Sequence, residues 1–281
     1  MSQLIFLDNQ FHREEQLLIG VNNRGFRYGD GLFETIRCRS EEMQLADFHF
    51  DRLFRGMQLL GFEPPSFMTG PYIAGKLHQL LHRNGHHGPA RARLTVFRGD
   101  GGPFDAVSSF PHLLLQSWPL AGNEALNENG LVLGIHERTR KAIDELSGCK
   151  TNNYLSPLMA AREAKLNHWN DAVIRNSAGR ICETAVANIF FWINGRLVTP
   201  ALTEGPVAGT MRRYIVTEAR RLHTPVEERA VTEDDMAAAE EMFTTNAIQG
   251  IRWVAALGDK KFQSEKTVTL FRQVIQPLWQ G

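Results

Sequence analysis

Lysine is scarce in this chain: seven of the 31 Lys and Arg residues are lysine. Six of them (Lys76, Lys141, Lys165, Lys260, Lys261 and Lys266) fall in segments that read as surface. The seventh, Lys150, sits in LSGCKTNNYL (146–155), behind three small residues and at the start of a polar turn. A catalytic lysine needs a lowered pKa and room for a carbonyl partner, and small uncharged neighbours favour partial desolvation. An ordinary surface lysine near a helix start fits the same stretch. Glu183, in GRICETAVANIF, interrupts a run of small and apolar residues after a hairpin. A carboxylate buried there needs a cationic or protonated partner; strict alternation would instead put it on the exposed face of a half-buried strand. EGPVAGTMRRY (204–214) runs a glycine-bearing loop into a helix N-terminus at Thr210, a geometry that suits a phosphate or is simply a turn. FTTNAIQG (243–250) is a polar turn after an apolar strand, able to offer N–H groups and hydroxyls or to be no more than a strand end.

Taken together these four features describe one site. They provide an amine for a Schiff base, a carboxylate to hold a protonated pyridine nitrogen, and two phosphate cradles, which is the set that pyridoxal 5'-phosphate requires. A P-loop reading of the GPVAGT loop fails for want of a Gly-Lys-Ser/Thr ending, and a Rossmann reading for want of a preceding strand.

The elements that must position these residues alternate strand and helix. Residues 3–7 read as an edge strand and GLFETIRC (31–38) as a strand with Phe33, Thr35 and Arg37 on one face. A helix follows over 47–62, with Asp47 as N-cap and Gly61 as its stop. A second begins near Pro71. ARARLTVFRG (90–99) and HLLLQSWPL (112–120) are strands. In the second half LVLGIHE (131–137) is a strand, 154–168 a helix, and 171–200 a series of strands in which Asn194-Gly195 marks a hairpin. A helix over 210–222, a strand-turn-strand over 240–257 and an amphipathic C-terminal helix complete the chain. The whole reads as a mixed α/β (α+β) protein. Its expected domains are a smaller one over 1–120, a linker at 121–130 and a larger cofactor-binding one over 131–281.

Composition narrows the class. The 281 residues are 43% hydrophobic and 22% charged, with a formal net charge of zero. No basic stripe suggests nucleic acid, and no apolar run approaches a membrane span. MSQLIFLDNQF lacks the basic start and long apolar core of a signal peptide. Three scattered cysteines (Cys38, Cys149, Cys182) form neither a disulfide framework nor a metal pattern, so a cytoplasmic, reduced setting is expected. Cys149 and Cys182 flank the two key residues; small packing roles suit them better than redox control. The His-rich run LHRNGHHG (81–88) reads as a solvated loop rather than a metal site.

The chain resembles the class IV aminotransferases, the fold-type IV pyridoxal-phosphate enzymes. This group includes branched-chain aminotransferases, D-amino acid aminotransferases and 4-amino-4-deoxychorismate lyases. RGFRYGDGLFETIR, HFDRL, KTNNYL, GRICETAVANIFF, GPVAGTMRR and EMFTTNAIQGI carry the resemblance, in order and nearly end to end. It implies a two-domain, D-amino acid aminotransferase-like fold and a homodimer with sites near the subunit interface. Lys150 is then the Schiff-base lysine and proton shuttle, and Glu183 the partner of the pyridine nitrogen. Arg52 binds the phosphate, Gly209, Thr210 and Met211 form its first backbone cradle, and Asn246 and Ala247 form the second. Tyr28, Arg93 and Tyr154 would line the substrate side. Branched-chain members tend to carry Gly-Thr in the second cradle and D-amino acid members Ser-Thr. Asn246-Ala247 and Thr210-Met211-Arg212 are closer to the lyases, and the spacing to Asn153 fits the lyases and D-amino acid members better than the branched-chain ones, whereas Tyr154 in KTNNYL is closer to the branched-chain group. The expectation is therefore a lyase that eliminates pyruvate from aminodeoxychorismate. An amino acid aminotransferase is the alternative, and a binding protein on a retained scaffold is disfavoured because Lys150 and Glu183 are both present.

Overall fold

The computed structural model describes residues 3–16, 19–105, 108–120 and 124–280. Positions 121–123 of the expected linker lie outside these residues. The chain divides into two compact units, Met1–Gly122 with Cys149–Asn153, and Asn123–Gly148 with Tyr154–Gly281. Lys150 therefore belongs to the first unit although it follows 26 residues of the second, Asn123–Gly148.

The first unit contains β1 (Leu4–Leu7), β2 (Gln10–Arg13), α1 (Arg24–Tyr28), β3 (Gly31–Arg39) and β4 (Glu42–Met43). It continues with α2 (Ala46–Leu59), α3 (Gly70–Arg83), β5 (Ala90–Phe97) and β6 (His112–Pro119). Among the described residues its strands form a six-stranded antiparallel sheet in the order β2-β1-β6-β5-β3-β4. β1 is thus not an edge strand: the polar hairpin strand β2 covers one side and β6 the other. Burial of His49, Leu53, Gly56 and Met57 on α2, and of Ile73, Leu77, Leu80 and Leu81 on α3, follows the three-to-four spacing of a helix with one apolar face. Those faces join Leu32, Ile36, Leu94 and Val96 of the sheet in one core. Each fully buried aliphatic side chain there contributes about 2 kcal/mol by removal from water. α2 starts at Ala46, with Leu45 rather than Asp47 as N-cap; Asp47 lies in the first turn, where its charge suits the helix dipole. Gly61, at φ 66°, ends the helix as expected, with Phe62 N–H donating to the Met57 carbonyl at 2.9 Å.

The second unit runs β7 (Leu131–Lys141), α4 (Leu155–Leu166), β8 (Asp171–Asn176), β9 (Ile181–Thr184), β10 (Asn188–Ile193), β11 (Arg196–Pro200) and α5 (Thr210–Arg221). It closes with β12 (Val226–Arg229), α6 (Glu233–Ala238), β13 (Glu241–Asn246), β14 (Gly250–Leu257), β15 (Lys260–Lys261), α7 (Glu265–Leu270) and α8 (Gln276–Gln280). Among the described residues its nine strands form one mixed sheet, β12-β11-β10-β13-β14-β7-β8-β9, with β15 beside β14. Asn194 and Gly195 both take left-handed backbone (φ 49° and 73°), the conformation of a tight hairpin turn between β10 and β11. β7 extends four residues past the expected LVLGIHE strand, to Lys141. The C-terminal helix is not regular: a π turn at Phe271–Ile275 separates α7 from α8. That turn directly precedes Gln276-Pro277, and proline has no N–H with which to continue an α-helical ladder.

Candidate active site

In the second unit the pairing of β8 with β9 sets Glu183 opposite Ile174, in a strand that is buried along its whole length. The carboxylate is 6% exposed and is fully engaged. Its Oε1 accepts from Lys141 Nζ at 2.6 Å, and its Oε2 accepts from Val207 N–H at 2.8 Å. The burial overrules simple alternation, and the cationic partner that such burial demands is Lys141. Lys141, expected at the surface, is only 17% exposed, because β7 runs on and delivers it beside β9. Its signal was hidden by the polar run HERTRK, which masks the strand.

The glycine-bearing loop after β11 is held from several sides. Gly205 has φ 87°, and a Cβ there would stand 2.3 Å from the Ala142 carbonyl oxygen. At Gly209 a Cβ would stand 1.9 Å from Asn188 Oδ1. Buried Asn188 in turn donates to the Val207 carbonyl at 2.9 Å, and Ala208 N–H donates to the Gly148 carbonyl at 3.0 Å. Gly209 is the N-cap of α5, whose first turn receives no side-chain cap; Thr210 and Met211 begin it, both buried. Arg212 is not part of the cradle. Its guanidinium turns away to the Pro200 carbonyl and Glu228, at 2.8 and 2.9 Å. Burial pulls the Arg212 pKa below its ordinary value, partly offset by the Glu228 charge.

Asn188 also locates the second cradle. Its Cα partner across the sheet is Thr245, the residue before Asn246. Asn246 Oδ1 accepts from the N–H groups of Ile248 (3.0 Å) and Gln249 (2.9 Å), so the side chain braces the turn between β13 and β14 that carries Ala247. The two loops, Glu183 and Lys141 are thus tied together through Asn188 and Val207. Tyr154 precedes α4 and donates its hydroxyl to the Ala185 carbonyl at 2.9 Å, two residues beyond Glu183. Asn188 went unremarked in the sequence; a polar residue inside the apolar run AVANIFF is the same signal that singled out Glu183.

In the first unit the segment 149–153 lies along the start of β3. Phe33 N–H donates to the Lys150 carbonyl at 2.8 Å, Asn152 N–H to the Gly31 carbonyl at 3.0 Å, and Leu32 bridges Thr151. Gly29, at φ 68°, permits the close approach of Asn153, whose Oδ1 would stand 2.6 Å from a Cβ at that position. Lys150 Nζ stands 4.5 Å from the Phe33 ring centroid, and the Arg93 guanidinium 4.0 Å from the same centroid. Lys150 and Arg93 therefore both approach the Phe33 ring, each contact of the cation–π type. Cys149 packs against the core of this unit. Cys38 and Cys182 are buried, and burial pushes the Cys38 thiol up to about 12 and the Cys182 thiol beyond its ordinary range, so neither is poised as a thiolate.

Arg52 projects from α2 onto Glu34 of β3, donating from Nε at 2.8 Å and also from a terminal nitrogen. His49 Nδ1 contacts the same carboxylate at 2.6 Å. Burial alone would push the Glu34 carboxyl up, but the Arg52 charge and the His49 hydrogen bond outweigh it and hold the pKa at about 2. Tyr28 ends α1, with the Arg24 and Arg27 guanidinium groups 5.5 and 5.1 Å from its ring centroid.

The second unit's residues fit pyridoxal phosphate on their own chemistry. A buried, ionically held carboxylate matches a protonated ring nitrogen, and a loop in which no side chain fits at Gly209 leaves backbone N–H groups for a phosphate.

Comparison with known proteins agrees. The sequence profile of the family Amino-transferase class IV matches residues 31–257. The chain is 27% identical to the aminodeoxychorismate lyase of Vibrio harveyi over 253 residues, covering 86% of this chain and 88% of that one. It is 28% identical over 244 residues to a Methanocaldococcus jannaschii protein provisionally named a branched-chain-amino-acid aminotransferase, covering 86% and 83%. The crystal structure of 4-amino-4-deoxychorismate lyase from Pseudomonas aeruginosa superposes with a TM-score of 0.82 at 28% identity, covering 98% of this chain and all of that one. The chain belongs to the class IV aminotransferase family, with the fold-type IV architecture and the pyridoxal-phosphate dependence of its enzymes.

Proposed function

We propose that the protein is a 4-amino-4-deoxychorismate lyase, which eliminates pyruvate from its substrate and leaves 4-aminobenzoate, a folate precursor. The observation that carries this reading is the second cradle, Asn246-Ala247, where the transaminases of the resemblance carry a threonine. Here Asn246 spends its side-chain oxygen on its own turn. The similarity to lyases over most of the chain supports it. When bound, pyridoxal phosphate supplies an electron sink that stabilises the carbanion at the substrate's amine-bearing carbon.

The chain's own residues divide the remaining work. Lys150 Nζ would hold the cofactor at its aldehyde, and the same amine would move the proton at the substrate's amine-bearing carbon. Glu183 holds the proton on the ring nitrogen, and Lys141 with Val207 N–H fixes that carboxylate in place. Backbone N–H groups at Thr210, Met211 and Ala247 bind the phosphate. Arg52, oriented by Glu34 and His49, adds a planar guanidinium for its oxygens. Tyr28, Arg93 and Tyr154 face the substrate. A homodimer in the cytoplasm belongs to the same proposal; the structure itself shows, among its described residues, no helix long and apolar enough to cross a membrane.

The test is direct. The purified holoenzyme is given 4-amino-4-deoxychorismate, and pyruvate and 4-aminobenzoate are measured together. Equal release of both supports the lyase. Tyr154 and the Methanocaldococcus jannaschii relative favour a second reading, a transaminase. That reading predicts amino-group transfer from an L- or D-amino acid to a 2-keto acid, with no 4-aminobenzoate released, and such a result overturns the first.

A further inference from the structure

The run LHRNGHHG closes on a carboxylate in the folded chain. β3 and β4 are joined by a two-residue turn, Ser40 and Glu41, both with left-handed backbone (φ 48° and 66°). The turn presents Glu41 to the C-terminal end of α3. His82, in the last turn of α3, and His87, in the loop beyond it, both aim Nδ1 at Glu41 Oε1, at 3.1 and 2.7 Å. The candidate ligand atoms of these three residues lie within 4.8 Å of one another. His78, one turn before His82, stands with Nε2 3.7 Å from the second Glu41 oxygen and Nδ1 3.4 Å from Glu42. His86 is separated from its neighbour: it is partly buried and hydrogen-bonded to the backbone of Ser117. The Glu41 side chain is 14% exposed, against 67% and 69% for His82 and His87. A sheltered carboxylate thus forms the floor of the cluster, and two accessible imidazoles form its sides.

We propose that Glu41, His82 and His87 bind a divalent transition cation of the zinc class, with water in the fourth position. Zinc takes nitrogen and oxygen ligands at about 2.0–2.2 Å in a tetrahedron, which sets ligand atoms about 3.3 Å apart; here the two imidazole nitrogens stand 3.1 and 2.7 Å from Glu41 Oε1, and all three ligand atoms lie within 4.8 Å, so small side-chain rotations would open the cluster to the ion. Imidazole donors select zinc, copper or nickel over magnesium and calcium. The ion would staple the β3–β4 turn to the end of α3 and to the loop at His87, three segments of the first unit. None of the three residues is among those proposed to hold pyridoxal phosphate, so this inference stands apart from the reading above.

The experiment uses the holoenzyme, stripped with a chelator, dialysed, and titrated calorimetrically with zinc chloride. One zinc per chain is expected, with magnesium chloride giving no binding. Loss of outer-shell partners alone weakens metal sites by roughly 10–100-fold. The double variant His82→Gln/His87→Gln must therefore weaken binding by at least about 100-fold while leaving the fold and the activity of the holoenzyme intact. His223→Asn, at another exposed histidine, must leave it unchanged. Equal zinc affinity in the double variant, or no binding tighter than ~100 μM, overturns the proposal. So does an X-ray absorption spectrum with sulfur in the zinc shell, which would assign the ion to a cysteine.

Discussion

Replacing Lys141 by methionine tests whether the charge beside Glu183 is part of the site's frame. The substitution keeps an unbranched side chain and removes the ammonium. Glu183, 6% exposed, then retains only the Val207 N–H as partner in the absence of cofactor. Breaking a buried ion pair from one side costs about 3–5 kcal/mol, because the remaining charge stays desolvated. Four of the five tryptophans belong to the second unit, so intrinsic fluorescence reports its unfolding. With a urea dependence of about 2 kcal/mol per molar, the midpoint of the cofactor-free variant should fall by about 2 M. A protonated ring nitrogen on Glu183 restores a cationic partner, so saturating pyridoxal phosphate must recover a larger part of the midpoint in the variant than it adds to the wild type. A fall below about 0.5 M would place the pair among surface ion pairs, which contribute 0–1 kcal/mol, and would refute the reasoning. Equal gains from cofactor in both proteins would remove the proposed link between Lys141, Glu183 and the ring nitrogen.

Glu34 titrates at about 2 in the fold against an ordinary value of 4.5. At about 1.4 kcal/mol per pH unit this contributes about 3 kcal/mol, present in full above about pH 4.5 and lost as pH falls through 2. Circular dichroism of an acid titration should show Glu34→Gln less stable at neutral pH, with a flatter acid limb. Gly209→Ala forces Asn188 off the Val207 carbonyl and should raise the dissociation constant for pyridoxal phosphate at least about tenfold, a loss of about 1.4 kcal/mol. Gly148→Ala, whose Cβ would meet nothing nearer than Ala208 at 4.0 Å, should leave it unchanged by equilibrium dialysis. Cys38 and Cys182 should resist a thiol reagent at pH 8 until the protein is unfolded, so at most one of the three thiols titrates in the native state.

Much of the fold could be read from periodicity and punctuation. The Asn194-Gly195 hairpin, the Gly61 stop and the strand at 90–97 are local signals, decided by a few adjacent residues. What escaped was decided at long range. β1 lies inside its sheet because a polar neighbour pairs with it, and polar QFHR gives no strand signal of its own. Lys141 reads as surface because HERTRK is polar; only the parallel pairing of β7 with β8 shows where that run leads. The short helix α1 is bounded by the Asn23 cap, whose Oδ1 accepts from Phe26 N–H at 3.1 Å, and by left-handed Gly29, and no apolar period announces it. In the site, Lys150 and Glu183 stood out because each breaks the chemistry of its surroundings. Asn188 carries the same mark, a polar residue in an apolar run, whereas Val207 acts through its backbone N–H, which leaves no mark on composition.

Lys150 is the lysine proposed to bind pyridoxal phosphate, and trapping that bond tests the assignment directly. The holoenzyme should be reduced with borohydride, digested, and mapped by mass spectrometry. The account predicts a pyridoxyl-phosphate adduct on the peptide containing Lys150 and on none of the other six lysines, and its absence from Lys150→Ala. An adduct on Lys141 or any other lysine, or a Lys150→Ala protein that still acquires one at full yield, would contradict it.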